Sequence, residues 1–138
     1  MAPEDNVALI RTIYSAFGTG DVKTILENVS PNAQWINHGP QTIPYAGDFT
    51  GRINEFFQAI GQSTTGGKVT PQKFIAQDDT VVSIGRYTAS VQNGGAQIDS
   101  PVAHIFTVSG GKVTSWTGFS DSAAVAAAHG ASVAAIRR

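Results

Sequence analysis

Three features of this sequence predict an α+β fold, with helices laid on one face of a curved antiparallel β-sheet. Apolar residues recur at three- and four-residue spacing early in the chain, at Val7, Ile10, Ile13, Tyr14 and Phe17, and again at Ile53, Phe56, Phe57 and Ile60. The later part is rich in β-branched runs parted by short turn signals, Asp78-Asp79, Asn93-Gly94-Gly95 and Gly110-Gly111. Between them, Trp35-Ile36-Asn37-His38-Gly39-Pro40 reads as an apolar strand that runs into a Gly/Pro-rich loop ending at Gly51.

Residues 7–17 form one helical face, closed by Gly18 and Gly20. Asp21 caps a second helix with Val22, Ile25, Leu26 and Val29 as its apolar side, and Ser30-Pro31 stops it. In the following strand, alternation puts Trp35 and Asn37 on one face and Ile36 and His38 on the other. The loop 39–51 carries Ile43, Tyr45 and Phe49, more apolar surface than a solvated connector needs, and is expected to rim a pocket. Thr50 is expected to cap the third helix and Gly61 to end it, with residues 63–68 as a Gly/Thr connector. Four strands follow, at 73–77, 80–92, 96–109 and 112–120. Asp121 then caps an alanine-rich helix over 122–129, with Gly130 as its stop, and the tail 131–138 is weakly specified. A sheet curving around three helices encloses a cone, with its mouth expected beside the 39–51 loop.

The chain of 138 residues fits one domain, with its core at about 7–129. Hydrophobic content of 41% is globular, and 14% charged residues is low against a typical ~25%. Nine basic and ten acidic residues give a net charge of −1, and the longest Lys/Arg run is Arg137-Arg138, so no nucleic-acid partner is expected. The absence of cysteine removes disulfides, thiolate chemistry and Cys-based metal sites. The acidic N-terminus lacks signal-peptide character and no apolar run approaches the ~20 residues of a spanning helix, so the expectation is a soluble cytoplasmic protein away from membranes. His38, His104 and His129 show no metal-ligand spacing, and no phosphate loop or dinucleotide fingerprint occurs, so no metal and no cofactor are expected.

The helix end Tyr14-Ser15-Ala16-Phe17-Gly18-Thr19-Gly20-Asp21, the Trp35 strand and Pro44-Tyr45-Ala46-Gly47-Asp48-Phe49-Thr50-Gly51 resemble the SnoaL-like branch of the nuclear transport factor 2-like superfamily. So do Gly110-Gly111-Lys112-Val113 and Phe119-Ser120-Asp121-Ser122-Ala123-Ala124. The resemblance covers residues 7 to 129 or so, and rests on the order and spacing of motifs that are weak singly. It implies a cone-shaped roll with an apolar pocket and pairing through the sheet. That superfamily includes ketosteroid isomerases, polyketide cyclases and limonene-epoxide hydrolases, so it implies a pocket without fixing a reaction.

His104 is the first candidate for chemistry. Alternation places Ile98, Val102, His104, Phe106 and Val108 on one face, and an imidazole there is costly unless hydrogen-bonded. Its ordinary pKa near ~6.5 suits acid/base work. The resemblance puts it where ketosteroid isomerases carry a carboxylic acid that donates to the substrate oxygen. A core histidine bonded to a neighbouring side chain is the competing reading. The same resemblance sets Asn37 at the isomerases' catalytic carboxylate, and an amide cannot take a proton at neutral pH. The resemblance implies that Tyr14, on the stripe of the first helix, points its phenol into the pocket; the alternative is a core aromatic with its hydroxyl at the rim.

Trp35, Phe57, Phe106 and Phe119 are expected to line the pocket, and His38 to stand either at its mouth or in solvent. Tyr45 and Phe49 either cover a ligand or pack on Ile53 and Phe56. Asp121 reads first as a cap, with a cavity-facing catalytic role as the second possibility. Arg86 either points inward, needing Asp121 or Asp99 as partner, or faces outward at a dimer contact. An Arg-x-Asp strand motif like that of the epoxide hydrolases is not matched, since Tyr87-Thr88 follows Arg86.

Two functions fit these residues. One is a cofactor-independent isomerase, cyclase or hydrolase acting on a small apolar oxygenated molecule through His104. The other is a non-catalytic protein that uses the same pocket for a ligand, or its sheet for a partner. A homodimer through the exposed sheet face is expected, because Val81, Tyr87, Ala103 and Ile105 are read as an outer face too apolar to stay wet.

Overall fold

The structure, a computed structural model, describes residues 2–92, 94 and 96–130. Helix α1 (Pro3–Gly18) begins before the apolar stripe, because Pro3 suits a first turn whose N–H groups are free anyway, and Glu4 and Asp5 favour that end of the dipole. Helix α2 (Val22–Glu27) is capped as expected: Thr24 N donates to Asp21 Oδ1 at 3.1 Å. It stops earlier than its apolar pattern suggests. Leu26 is exposed, and Val29 already opens strand β1 (Val29–Asn37), which runs through Pro31. Proline is tolerated there because the pairing of β1 is irregular between Val29 and Gln34.

A two-residue strand β2 (Gly47–Asp48) folds back on β1. Thr50 does not cap helix α3 (Ile53–Ser63); its Oγ1 accepts from Trp35 N at 3.1 Å and pins the loop to β1 instead. Helix α3 runs past Gly61, and the expected connector after it is already strand β3 (Thr64–Gln77). Thr64 pairs with Val91 and Thr65 with Ser90 before the register shifts to Lys68. Gly66, at φ +66°, gives that irregularity its left-handed residue.

Strands β4 (Thr80–Val91), β5 (Gln97–Ser109) and β6 (Lys112–Ser120) form the meander, and helix α4 (Ser122–Ala128) follows. Two-residue turns join β3 to β4 through Asp78 (φ 51°) and β5 to β6 through Gly110 and Gly111 (φ 59° and 79°), as the sequence signals require. Of the expected Asn93-Gly94-Gly95 turn, Asn93 and Gly95 lie outside the described residues, as do 131–138 with the Arg137-Arg138 pair.

The sheet order is β2-β1-β6-β5-β4-β3, a curved and unclosed six-stranded sheet with helices against it. The expected α+β class stands, with one addition. The pairing of β1 with β6 is parallel, while the other pairings are antiparallel. The return of the chain to β1 through the whole meander makes that possible.

Alternation sorts the long strands into two faces. The inner face takes Val81, Ser83, Tyr87 and Ala89 from β4, and Ile98, Ser100, Val102, His104, Phe106 and Val108 from β5, all buried. Val81 and Tyr87, expected outside, are therefore inside, paired with Phe106 and Ser100. The outer face carries Val82, Ile84 and Arg86, and with Ala103, Ile105 and Phe119 it remains apolar. Helix α1 packs Ile10, Ile13 and Tyr14 against the inner face. Each such fully buried side chain contributes about 1.5–3 kcal/mol.

Candidate functional site

Register lines four residues up across the inner face. Asn37 of β1 stands opposite Gly118 of β6, Gly118 opposite His104 of β5, and His104 opposite Ser83 of β4. Over this row lies a cavity of about 90 Å³. Its walls are Tyr14 and Phe17 of α1, Phe56 and Phe57 of α3, Trp35, Phe106 and Trp116 of the sheet, and Ile43 and Tyr45 of the loop. That volume is below the ~300–1,000 Å³ of sites for drug-sized ligands, so the cavity suits a small molecule rather than a large polycycle. A second crevice of about 370 Å³ between the α1–α2 turn and the start of β3 has, among the described residues, no titratable side chain in its wall.

His104 is 8% exposed, and Tyr14 Oη lies 2.7 Å from its Nδ1. The imidazole meets Trp116 edge to face, with ring centroids 5.1 Å apart and planes at 67°. Burial pushes the His104 pKa down to about 4, so the ring is neutral near pH 7. Burial pushes the Tyr14 phenol well above its usual range, with the neighbouring Ser83 hydroxyl opposing it. The pair therefore carries hydrogen-bonding capacity and no charge. Both readings of His104 meet here: it is bonded inside the core and it lines the cavity. The Tyr14 hydroxyl is inside, not at the rim.

Asn37 also lines the cavity, and its Nδ2 donates to the Tyr45 carbonyl at 3.0 Å. Its neighbour Gly118 must be glycine. A Cβ there would stand 2.5 Å from the Trp116 ring and 2.9 Å from Asn37 Oδ1. The bare backbone lets the Trp116 indole fold over β6 and stack on Trp35, with centroids 4.9 Å apart and planes at 28°. Tyr45 closes the loop side. Its hydroxyl is 2.9 Å from Nε2 of His129, the residue that ends α4, and burial raises the phenol pKa and lowers that of the imidazole.

Trp35, Tyr45, Phe57, Phe106 and Phe119 border the cavity. Phe119 does so only from its edge, because it is 43% exposed on the outer face and stacks on the exposed His38 at 4.6 Å. His38 is not in the cavity wall. Phe49 is not either; it packs on Phe56 and lies under the Arg52 guanidinium. Arg86 faces outward, its Nε donating to Asp99 Oδ1 at 2.7 Å, because it alternates with the inward Tyr87. Asp121 is exposed and caps α4, with Ala124 N donating to its carboxylate at 3.2 Å. It lies outside the cavity wall. These placements remove His38, Phe49, Arg86 and Asp121 from contact with the cavity.

Sequence reasoning missed Trp116, Gly118 and Ser83. Simple alternation from Val113 turns 115, 117 and 119 inward, but the register shift between Thr107 and Val108 flips the parity, so that Trp116 and Gly118 point in. One available signal was Trp116 itself, one of only two tryptophans.

A family model described as SnoaL-like domain matches residues 10–116. The chain belongs to the SnoaL-like family. Its fold is that of the nuclear transport factor 2-like superfamily. Among solved structures it is similar to Bal32a, from a soil-derived mobile gene cassette, at 32% identity and TM-score 0.78, over 88% of this chain and 94% of that one. A nuclear transport factor 2-like protein of unknown function from Burkholderia pseudomallei is 20% identical with TM-score 0.82, over 95% of this chain and all (100%) of that one. TerC, co-crystallised with polyporic acid, is 24% identical with TM-score 0.82, over 92% and 99%. No curated protein matches the sequence. Among the described residues of this SnoaL-like chain, no helix is long and apolar enough to cross a membrane.

Proposed function

We propose that this SnoaL-like domain binds a small, neutral, oxygen-bearing and otherwise apolar molecule, with its oxygen against His104 and Asn37. The observation that carries this reading is the Tyr14–His104 pair, uncharged and enclosed in an aromatic cavity whose wall, among the described residues, contains no Asp, Glu, Lys or Arg. A charged ligand would lose its hydration there without gaining a counter-ion. With Nδ1 engaged by Tyr14, the neutral imidazole has Nε2 left for a ligand, which suits hydrogen bonding to a carbonyl, lactone or epoxide oxygen and acid/base help without a cofactor. Two features favour binding over turnover. Asn37 cannot accept a proton, and its amide nitrogen is already held by the Tyr45 carbonyl. His104, held far below its ordinary pKa, is a weak base.

A second copy of the chain is the partner we propose for the outer sheet face, where Ile75, Ile84, Ile105 and Phe119 are exposed.

Both tryptophans, Trp35 and Trp116, line the cavity, so intrinsic fluorescence reports on its contents. Titration with acetophenone, cyclohexene oxide and δ-valerolactone should give saturation with at least one. His104→Phe should weaken that affinity about tenfold, the value of one buried hydrogen bond. If none of the three saturates the folded wild-type protein, the binding reading fails.

A further inference from the structure

Beside the Tyr14–His104 pair lies the Ser83 hydroxyl, near enough to act on the Tyr14 phenol yet outside good hydrogen-bond geometry with any described group. Ser83 is 1% exposed and stands directly opposite His104 in the β4–β5 register. Buried hydroxyls are nearly always paired, so an orphan at the centre of a site calls for a reason. The polar group next to it is the Tyr14 phenol, which feels the Ser83 hydroxyl directly. Tyr14 in turn reaches His104 Nδ1, and His104 Nε2 has no partner among the described residues.

We propose that Ser83 is a positioning residue that sets the direction of this chain. Its hydroxyl donates to Tyr14 Oη, Tyr14 donates to His104 Nδ1, and His104 is thereby held as the Nε2–H tautomer. A neutral imidazole that accepts at Nδ1 must carry its proton on Nε2. The reverse chain would have His104 donate to Tyr14 and Tyr14 donate to Ser83. It spends the phenol, the stronger donor, on a hydroxyl and leaves the ring nitrogen, the stronger acceptor, without it. The forward chain matches the better donor to the better acceptor, and each bond polarises the next.

The inference rests on the reading of the cavity as a ligand site, and it narrows the ligand class. A site that presents Nε2–H takes a hydrogen-bond acceptor, such as a ketone, lactone or epoxide oxygen. It discriminates against a molecule whose only polar group is a donor, because the imidazole N–H would then be left unpaired.

Nitrogen NMR on the full chain labelled at histidine tests it without any ligand, with His104 assigned by its loss in His104→Gln. The wild-type protein should show Nε2 protonated and Nδ1 bare. Ser83→Ala should release the tautomer, bringing the two ring-nitrogen shifts toward each other, and Ser83→Thr, which keeps the hydroxyl, should restore their separation. Acetophenone affinity should fall several-fold in Ser83→Ala and recover in Ser83→Thr, while pyrrole, a donor only, binds the wild type far more weakly than acetophenone. A wild-type Nδ1–H tautomer overturns the proposal. So does a Ser83→Ala spectrum identical to that of the wild type. Failure of acetophenone to bind at all strikes the binding reading and leaves the tautomer result to decide this one.

Discussion

Strand β4 presents Ser83 and Tyr87 to the inside and Ile84 and Arg86 to the outside, and the two faces one residue apart obey different electrostatics. On the inside, His104 and Tyr14 are moved away from their ordinary pKa values by burial above all, with no ion pair involved. On the outside, Arg86 and Asp99 form a direct 2.7 Å pair, yet their side chains are 41% and 63% exposed, and water screens most of its worth. A short distance between opposite charges is thus less telling here than a lone imidazole in a dry place. Candidate chemistry belongs to the face that excludes water, and the formally charged face is the bland one.

The sharpest way to break this contrast is a pair of truncations at adjacent positions of β5. Phe106→Ala on the inner face, where the side chain is 1% exposed, should cost about 3–5 kcal/mol by urea unfolding. Ile105→Ala on the outer face, 38% exposed, should cost far less in the monomer. A second copy covering the outer face would show itself if the Ile105→Ala cost rises with protein concentration, and Phe119→Glu should then yield a monomer by sedimentation.

The pH dependence of stability tests the inner face next. The His104 pKa falls from 6.5 to about 4 on folding, so between these values the unfolded chain binds the extra proton. Its contribution is fully present above pH 6.5 and is lost as pH falls through that window, by about 3 kcal/mol at pH 4. His104→Gln should flatten this part of the profile relative to wild type; parallel profiles would show that His104 is not dry.

Gly118→Ala should destabilise by about 1–3 kcal/mol, because the new methyl meets the Trp116 indole and Asn37, and it should abolish ligand-induced quenching. The smallest effect belongs outside: Arg86→Ala should change stability by less than ~1 kcal/mol and leave binding untouched. A large loss in either would mean that Arg86 reaches the cavity after all.

Most of the architecture was legible in the chain because it depends on local rules. The stripes of the first and third helices, the Asp21 and Asp121 caps and the Asp78 and Gly110-Gly111 turns are each written within a few residues, and each stands. The errors cluster where a partner strand overrode a local signal. The Gly/Thr stretch after α3 became strand because Val91 and Ser90 pair with Thr64 and Thr65. Thr50 left its helix to bond Trp35, fifteen residues back. Half of the expected catalytic set, His104 and Tyr14, came together as a bonded pair, whereas Asp121 stayed a cap.

By itself the chain determined the element types, the family pattern, the absence of a carboxylate at Asn37 and the presence of one imidazole on an apolar strand face. Only the tertiary structure decided what that imidazole touches. The β5–β6 register shift turned Trp116 and Gly118 inward, the parallel seam of β1 on β6 brought Asn37 into the same row, and α1 delivered Tyr14 from ninety residues away in sequence. The physical reason is one of range. Helix periodicity, caps and turns are settled by neighbours along the chain, but a cross-sheet row is settled by registers between strands, where a shift of one residue exchanges the faces.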